Sequence, residues 1–189
     1  MQPEFDIRPI SSENLNDFLT FFEGVEFKDN PHWSACYCYS FHFTGKSEQW
    51  NKEDNRSAVC KLIRESKMTG YMAYHNNDPV GWCNVNNRLN FQRLLKYFDL
   101  LEPDHKKVCS MVCFLIHPDF RRNGITQQIL NRTESDYRSR EYEIIEAYPT
   151  KRSLSCENQY MGTMEFYGKN GFDIVKEFED YYLVRKSIQ

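Results

Sequence analysis

The 189-residue sequence lacks a long apolar run and has no strong excess of either charge. A membrane-spanning helix needs about 20 consecutive apolar residues, and the longest apolar run, Val108–Ile116, is far shorter. A net charge of -3 and a pI near 6.0 argue against a broad nucleic-acid-binding surface. Residues Met1–Asp6 lack the basic and apolar segments of a secretion signal. These absences predict a cytoplasmic protein with neither a membrane nor a nucleic-acid partner.

The composition is that of a globular chain, with 40% apolar and 27% charged residues. Its length suits one domain covering residues 1–189. The seven cysteines are odd in number and no secretion signal precedes them, so we expect free thiols, most of them buried as small apolar groups. Cys109 and Cys113 lie four apart in an apparent strand, which predicts that they share a face.

Apolar periodicity and turn residues predict strands and helices in alternation. The first helix has Leu15, Phe18, Leu19 and Phe22 on one face, with Ser11 or Ser12 as its cap. Further helices are predicted at Asn55–Glu65, Phe91–Tyr97 (within a loop from Asn86 to His105), Gly124–Arg138 and Thr163–Lys169, the last stopped by Gly171. Strands are predicted at Phe5–Pro9, Thr69–Tyr74, Val80–Val85, Val108–Ile116, Ile144–Tyr148, Phe172–Phe178 and Tyr181–Arg185. The pattern predicts a mixed sheet with helices on both faces, α/β or α+β in class.

The most informative segment follows the central strand. A turn at Pro118 leads to Arg121, Arg122 and Gly124, and a helix begins directly afterwards. A helix N-terminus offers unpaired N–H groups and a favourable dipole to an anion, glycine admits close approach, and arginine adds donors that suit phosphate oxygens. The segment therefore predicts a pyrophosphate-binding turn.

Two motifs carry a family resemblance. Arg121-Arg122-Asn123-Gly124-Ile125-Thr126 resembles the acyl-CoA-binding motif of the GNAT superfamily, Arg/Gln-x-x-Gly-x-Gly/Ala, with Thr126 departing at the last position. Phe166–Phe172 resembles the later motif Tyr-x-x-x-Gly-Phe, with Tyr167 as its tyrosine. Order and spacing agree with the superfamily over Val108–Lys186.

The resemblance implies a single GNAT-like domain whose mostly antiparallel sheet splays at a parallel pair, the strands Val108–Ile116 and Ile144–Tyr148. It implies an acceptor-side half at 1–106 and an acyl-CoA-binding half at 107–189. The implied reaction is acetyl transfer from acetyl-CoA, as cosubstrate, to a primary amine of a small molecule, by direct attack in a ternary complex. The family is often dimeric, which leaves a homodimer open. The residues that it implies for cofactor binding are Phe114, Leu115, Ile116, Arg121, Arg122, Asn123, Gly124, Ile125 and Thr126.

Tyr167 matches the tyrosine that the family often uses as general acid. The alternative interpretation is that Tyr167 is an aromatic packing residue in a helix. The general base is less defined. Glu146, in the fifth strand, points at the acceptor cleft or else faces solvent. His32, His42 and His117 are alternatives by chemistry, although His117 is expected to cap the turn beside Pro118.

An aromatic stretch, 31–43, precedes the second predicted helix. By the resemblance its rings line the acceptor site, and the alternative is core packing. The rings are Trp33, Tyr37, Tyr39, Phe41 and Phe43. We expect no metal here, because a Cys36-x-Cys38 spacing on one strand face is not that of a structural zinc site.

Three other functions stay open at this stage. They are a non-catalytic acyl-CoA-binding sensor or interaction module, a peptide or protein N-acetyltransferase, and a thiol or metal protein centred on Cys36 and Cys38.

Overall fold

A computed structural model describes residues 3–24, 27, 29–98, 100 and 105–189. Within these residues the strands are β1 Asp6–Pro9, β2 Gly70–His75, β3 Asp78–Asn87, β4 Val108–Ile116, β5 Ile144–Ala147, β6 Asp173–Glu177 and β7 Tyr182–Ser187. The α-helices are α1 Leu15–Glu23, α2 Lys52–Arg64, α3 Gln92–Tyr97, α4 Ile125–Ser139 and α5 Met164–Lys169. Each predicted helix and strand is present, which confirms the coarse assignment.

The differences lie at element ends. The predicted serine cap of α1 is wrong: Asn14 is the capping residue, and its side-chain oxygen accepts the Ser11 N–H at 2.8 Å. Helix α2 begins three residues before Asn55, because the side chain of Asn51 accepts the Asp54 N–H at 2.9 Å and caps the helix there. Of the expected 86–105 loop, residues 99 and 101–104 lie outside the described residues.

The strands form one sheet in the order β1-β2-β3-β4-β5-β7-β6. All neighbouring pairs are antiparallel except β4 and β5, which are parallel. One apolar cluster packs α1, α2 and α3 on one face, and a second packs α4 and α5 on the other. The mixed sheet with helices on both faces confirms the predicted class.

The β4–β5 pair opens part-way along. Strand β5 pairs with β4 only from Val108 to Met111, and β4 continues to Ile116 without it. The predicted splay is therefore present. It begins where β4 also carries a bulge: Val85 of β3 pairs with Met111 and Asn84 pairs with Cys113, so Val112 is the extra residue.

The bulge reverses the side-chain alternation of β4. Before it, Cys109 and Met111 pack in the cluster on the α4 face; after it, Val112 and Cys113 both pack in the opposite cluster. The expectation that Cys109 and Cys113 share a face is therefore wrong, because a bulge shifts the two-residue period by one. All seven cysteines are free thiols; Cys156 is exposed, and five of the other six are buried.

No helix in the described ranges is long and apolar enough to cross a membrane.

Candidate active site

The turn between β4 and α4 has the conformation that the sequence predicts for an anion-binding turn. His117 caps a short 3-10 turn, Pro118–Phe120, and its Nδ1 accepts the Asp119 N–H at 3.3 Å. Arg122 and Gly124 then take left-handed backbone angles, with φ of 63° and 82°. Helix α4 starts directly after Gly124 with no side-chain cap and no acidic residue in its first turn. Its N-terminal N–H groups are thus left available to an anion.

A cavity of about 240 Å³ opens beside this turn, and we call it the turn-side cavity. One wall is the free half of β4 with the turn, and the other is formed by Phe27 and by the segments 29–33 and 156–163. Six of the nine predicted cofactor residues line it: Phe114, Leu115, Ile116, Arg121, Arg122 and Thr126. Gly124 and Ile125 line a shallow depression next to it, although Ile125 is mostly core. Asn123 lines neither.

The two arginines of the turn differ in how they are held. The Arg121 guanidinium forms an ion pair with Asp29, and its Nε donates to the Ile116 carbonyl at 3.0 Å. Hydrogen bonding from Arg121 lowers the pKa of Asp29 below its usual value. Arg122 is exposed, and its side chain has no ion pair or hydrogen bond within the described part of the chain. The guanidinium of Arg122 is therefore available to a ligand, whereas that of Arg121 is already paired.

The free edge of β4 is also contacted from within the protein. The His117 N–H donates to Val80 of β3 at 2.9 Å, so the alternate residues Phe114 and Ile116 direct their backbone groups away from β3. The Phe114 N–H donates to the Tyr160 carbonyl at 2.6 Å. The backbone N–H of Phe114, one of the expected cofactor residues, is thus already paired with a loop.

Segments 29–33 and 156–163, which cover this edge, are joined to each other. The Asn30 side-chain amide donates to Asn158 Oδ1 at 3.1 Å, and the rings of Trp33 and Tyr160 meet edge to face at 4.9 Å. Together with the Asp29–Arg121 pair, these contacts hold the two segments over the turn-side cavity.

Tyr167 lies behind the cavity wall, not on it. It is fully buried, and its hydroxyl donates to the Met161 carbonyl at 3.0 Å. A Cβ placed on Gly162, which lines the cavity, would lie 3.0 Å from that hydroxyl oxygen. Burial raises the pKa of Tyr167 well above its ordinary value, so the phenol keeps its proton.

Glu146 is buried at the root of the splay, so the expectation of a solvent-facing carboxylate is wrong. Its Oε1 accepts hydrogen bonds from Ser110 and Tyr148, both at 2.6 Å. Its Oε2 accepts from Arg185 at 3.1 Å and lies 3.8 Å from the buried guanidinium of Arg88. Glu146 is not among the residues that line the turn-side cavity.

A second cavity, of about 290 Å³, lies on the other side of the free half of β4, and we call it the aromatic cavity. It is lined by Phe27, His32, Trp33, Cys36, Cys38, Ser40, Phe41, Trp50, Cys113, Leu115 and Tyr160. Four of these residues also line the turn-side cavity: Phe27, Trp33, Leu115 and Tyr160. The two cavities thus meet across the end of β4.

The aromatic stretch divides between wall and core. Trp33 and Phe41 line the aromatic cavity, as the first interpretation predicts. Tyr37 belongs to the core: it stacks on Phe22 with ring centroids 5.7 Å apart and donates to Glu23 Oε1 at 3.0 Å. Tyr39 and Phe43 pack against the ring of Trp50.

The cysteines and histidines of this stretch do not form a strand face. Cys36 and Cys38 lie in consecutive turns, and Cys38 has a left-handed φ of 54°. His42 is half-buried against Phe91, and loss of hydration lowers its pKa to about 4. His32 is exposed at the cavity wall. Among the described residues, no group of three or more His, Cys, Asp or Glu side chains is arranged to hold a metal ion.

Comparisons with known proteins agree with this geometry. The profile described as "Acetyltransferase (GNAT) family" matches residues 32–172, which is most of the chain. The fold and the pair of cavities around the splay thus belong to an acetyltransferase domain, and the chain is a member of the GNAT family. A direct comparison with curated proteins found no match.

Similar solved structures cover nearly the whole chain at low identity. The PaiA N-acetyltransferase of Thermoplasma acidophilum, in complex with coenzyme A, is 14% identical with a TM-score of 0.56 over 98% of this chain and 99% of its own. An N-acetyltransferase of Staphylococcus aureus Mu50 is 14% identical, with a TM-score of 0.59 over 99% and 100%. The NatC complex bound to Gag peptide and CoA gives 11% and 0.58 over 99% and 100%. At such identities these structures support the fold.

Proposed function

We propose that this protein is an N-acetyltransferase that transfers the acetyl group of acetyl-CoA to a primary amine of a small molecule, by direct attack in a ternary complex. The observation that carries the proposal is the meeting of two cavities at the free end of β4. One cavity adjoins an uncapped helix N-terminus and a free cation, and the other has aromatic walls. Seven free thiols suit a reducing compartment, so we place the protein in the cytoplasm.

Acetyl-CoA would bind with its pyrophosphate at the start of α4, beside Arg122 and Gly124. Its pantetheine arm would follow the free edge of β4 as an added strand does, pairing with Phe114 and Ile116. For this to happen, the Tyr160 carbonyl has to leave the Phe114 N–H. Residues 160–162 would therefore move aside when the cofactor binds.

The same movement serves the proton-transfer step. The amine nitrogen attacks the thioester carbonyl, the C–N bond forms, and the C–S bond breaks with the electron pair going to sulfur. Tyr167 donates its proton to the departing thiolate once Met161 and Gly162 no longer separate it from the cavity. His32, the imidazole on the aromatic wall, is the side chain that we propose to accept the proton of the amine. Glu146 we assign to positioning, because both of its oxygens are occupied.

The proposal is tested by calorimetric titration with acetyl-CoA, with dephospho-CoA and acetate as controls. We expect micromolar binding that Gly124→Glu abolishes, because a carboxylate would then stand at the anion-binding turn in a left-handed position. Gly171→Glu is the matched control, since Gly171 has a similar φ of 77° and faces open surface. If the Gly124 variant binds normally, or the wild type does not bind, the cofactor assignment is withdrawn.

A second candidate is a non-catalytic acyl-CoA-binding module. Arg121 and the Phe114 N–H are already paired within the protein, and this favours the module. Cofactor binding would then rearrange the two segments that supply their partners, and that rearrangement could act as a signal. The two functions separate in a screen of primary amines for free-thiol release: the enzyme releases CoA with at least one amine, whereas the module binds acetyl-CoA without turnover. Peptides with free N-termini belong in the screen, since one structural neighbour is a peptide-bound complex.

A further inference from the structure

A third cavity lies outside the aromatic cavity, and we call it the outer cavity. It is an open groove of about 610 Å³ between the 40–50 segment and α3. Its lining residues are Ser40, Phe43, Thr44, Gly45, Ser47, Trp50, Arg93 and Lys96. Ser40 and Trp50 also line the aromatic cavity, so the two cavities adjoin at these residues and together make a candidate path from the surface to the end of β4.

The outer cavity is positively charged. Arg93 and Lys96 are three residues apart on α3, so they share a helix face. Neither cation has an ion pair or a side-chain hydrogen bond within the described residues. The hydroxyl groups of Ser40, Thr44 and Ser47 add donors, and no carboxylate is present in the described lining. The adjacent Glu48 does not line the cavity. This combination of charge and donors suits an anion.

The position of α3 is fixed relative to the aromatic segment. The Arg93 N–H donates to the Phe41 carbonyl at 3.2 Å, and the rings of His42 and Phe91 lie 4.8 Å apart. The helix that carries the two cations is therefore fixed against the segment that supplies Phe41 to the aromatic cavity, and Trp50 lines both cavities.

The aromatic cavity, by contrast, has no acidic side chain in its described lining. It therefore offers rings to the body of a ligand but no carboxylate to a second ammonium group. The second ammonium group of a polyamine would therefore have no carboxylate partner in these two cavities. A ligand with an apolar middle and an anionic end would contact the rings of the aromatic cavity with its middle and the cations of the outer cavity with its anion.

We propose, on the basis of the proposed function, that the acceptor is a small primary amine whose aromatic or aliphatic body carries a carboxylate or another anion at the end remote from the amine. Arg93 and Lys96 bind that anion in the outer cavity. The rings of the aromatic cavity hold the body, and the amine reaches the thioester at the end of β4.

The test uses two probes that differ only in the anion: para-(aminomethyl)benzoate and benzylamine. Free-thiol release with acetyl-CoA gives kcat/KM for each. We expect the carboxylate probe to be preferred by about tenfold, which corresponds to one charge-assisted contact. The double variant Arg93→Gln/Lys96→Gln should lose this preference and keep its rate with benzylamine.

The matched control is Lys61→Gln/Arg64→Gln, which also removes two cations three residues apart, on α2. It should keep the preference. Equal use of both probes by the wild type, or an unchanged preference in the Arg93/Lys96 variant, overturns the inference while the acetyltransferase proposal stands.

Probe binding in the presence of CoA, measured by ligand-observed NMR, separates the two proposals. If no amine releases thiol but the carboxylate probe binds and the Arg93/Lys96 variant loses it, the anion site stands and the enzymatic function fails. If the carboxylate probe binds no better than benzylamine, the inference is overturned. A peptide with an acidic side chain is the last arm: its preference over the small probe would overturn the small-molecule acceptor.

Discussion

The two halves of β4 show how one strand supplies both a core and a site. Up to Met111 the strand is paired on both sides, and the polar group beside it, Glu146, is fully satisfied by near neighbours in the sheet. Beyond the bulge at Val112 only β3 remains as a partner, and the free edge is covered by segments from elsewhere in the chain. Changes in the first half should therefore reduce stability, and changes around the second half should affect ligand binding and turnover.

The largest effect is expected at the root of the splay. Glu146→Gln removes the charge that compensates the guanidinium groups of Arg88 and Arg185, one of which is buried. Removing one partner of a buried ion pair costs about 3–5 kcal/mol of unfolding free energy, measured by urea denaturation. The control Glu177→Gln breaks an exposed pair with Lys151 and should cost less than about 1 kcal/mol. Equal losses of unfolding free energy in the two variants would contradict a structural role for Glu146.

The next effect concerns turnover. Tyr167→Phe should lower kcat about 100-fold if the phenol protonates the thiolate, with acetyl-CoA affinity nearly unchanged. It should also cost about 1 kcal/mol of stability through the lost bond to Met161. Tyr137→Phe is matched, because that buried hydroxyl donates to the Val85 carbonyl at 3.1 Å in the same apolar cluster. A wild-type kcat in the Tyr167 variant would make Tyr167 a packing residue.

A pH effect is expected from His42, whose ring packs against Phe91. Burial lowers its pKa from 6.5 to about 4, so the unfolded chain takes up the proton first as the pH falls. The contribution of neutral His42 to the free energy of unfolding is therefore fully present above pH 6.5 and is lost as the pH falls from 6.5 to 4. Urea denaturation should show a loss of about 2 kcal/mol from this residue between pH 7 and pH 5. His42→Gln should remove that loss and His32→Gln should keep it; the same pH dependence in all three proteins would refute the assignment.

The smallest effect is expected at the cover of the turn-side cavity. Asp29→Asn removes the carboxylate that holds Arg121 and should raise acetyl-CoA affinity about fivefold, the worth of a partly exposed ion pair. Asp119→Asn removes a well-exposed carboxylate near the same turn and should leave the affinity close to that of the wild type. Calorimetry on both variants decides. A lower affinity in the Asp29 variant would mean that the pair organises the site instead of competing for it.

What the sequence predicted correctly is encoded locally. The ends of β4 and the start of α4 follow from an apolar run, a proline turn and a glycine with positive φ, all within a few residues. The aromatic stretch was recognisable by composition. Which of its rings face a cavity was not, because Tyr37 and Cys38 adopt left-handed angles that turn the chain and that no local signal announces.

What the sequence did not predict depends on distant pairing. Arg121 and Asp29 are 92 residues apart, and Glu146 meets Ser110 only because β4 and β5 pair in that register. The bulge at Val112 likewise appears only when β4 is aligned with β3. In the sequence, Arg93 and Lys96 are two charged residues of a short helix. Only the fold places them in the same cavity lining as Trp50.

The bulge also sets the face on which each later side chain of β4 lies. Every side chain from Cys113 to Ile116 points where it does because one residue, Val112, was inserted before it. Deleting Val112 would make the ladder with β3 regular and keep these four residues on their faces, whereas pairing Val112 with Asn84 would slip the register by one residue and exchange all four faces. Leu115, now in the wall that both cavities share, would then turn towards α4. One residue thus sets which half of the sequence pattern becomes core and which becomes surface of the site.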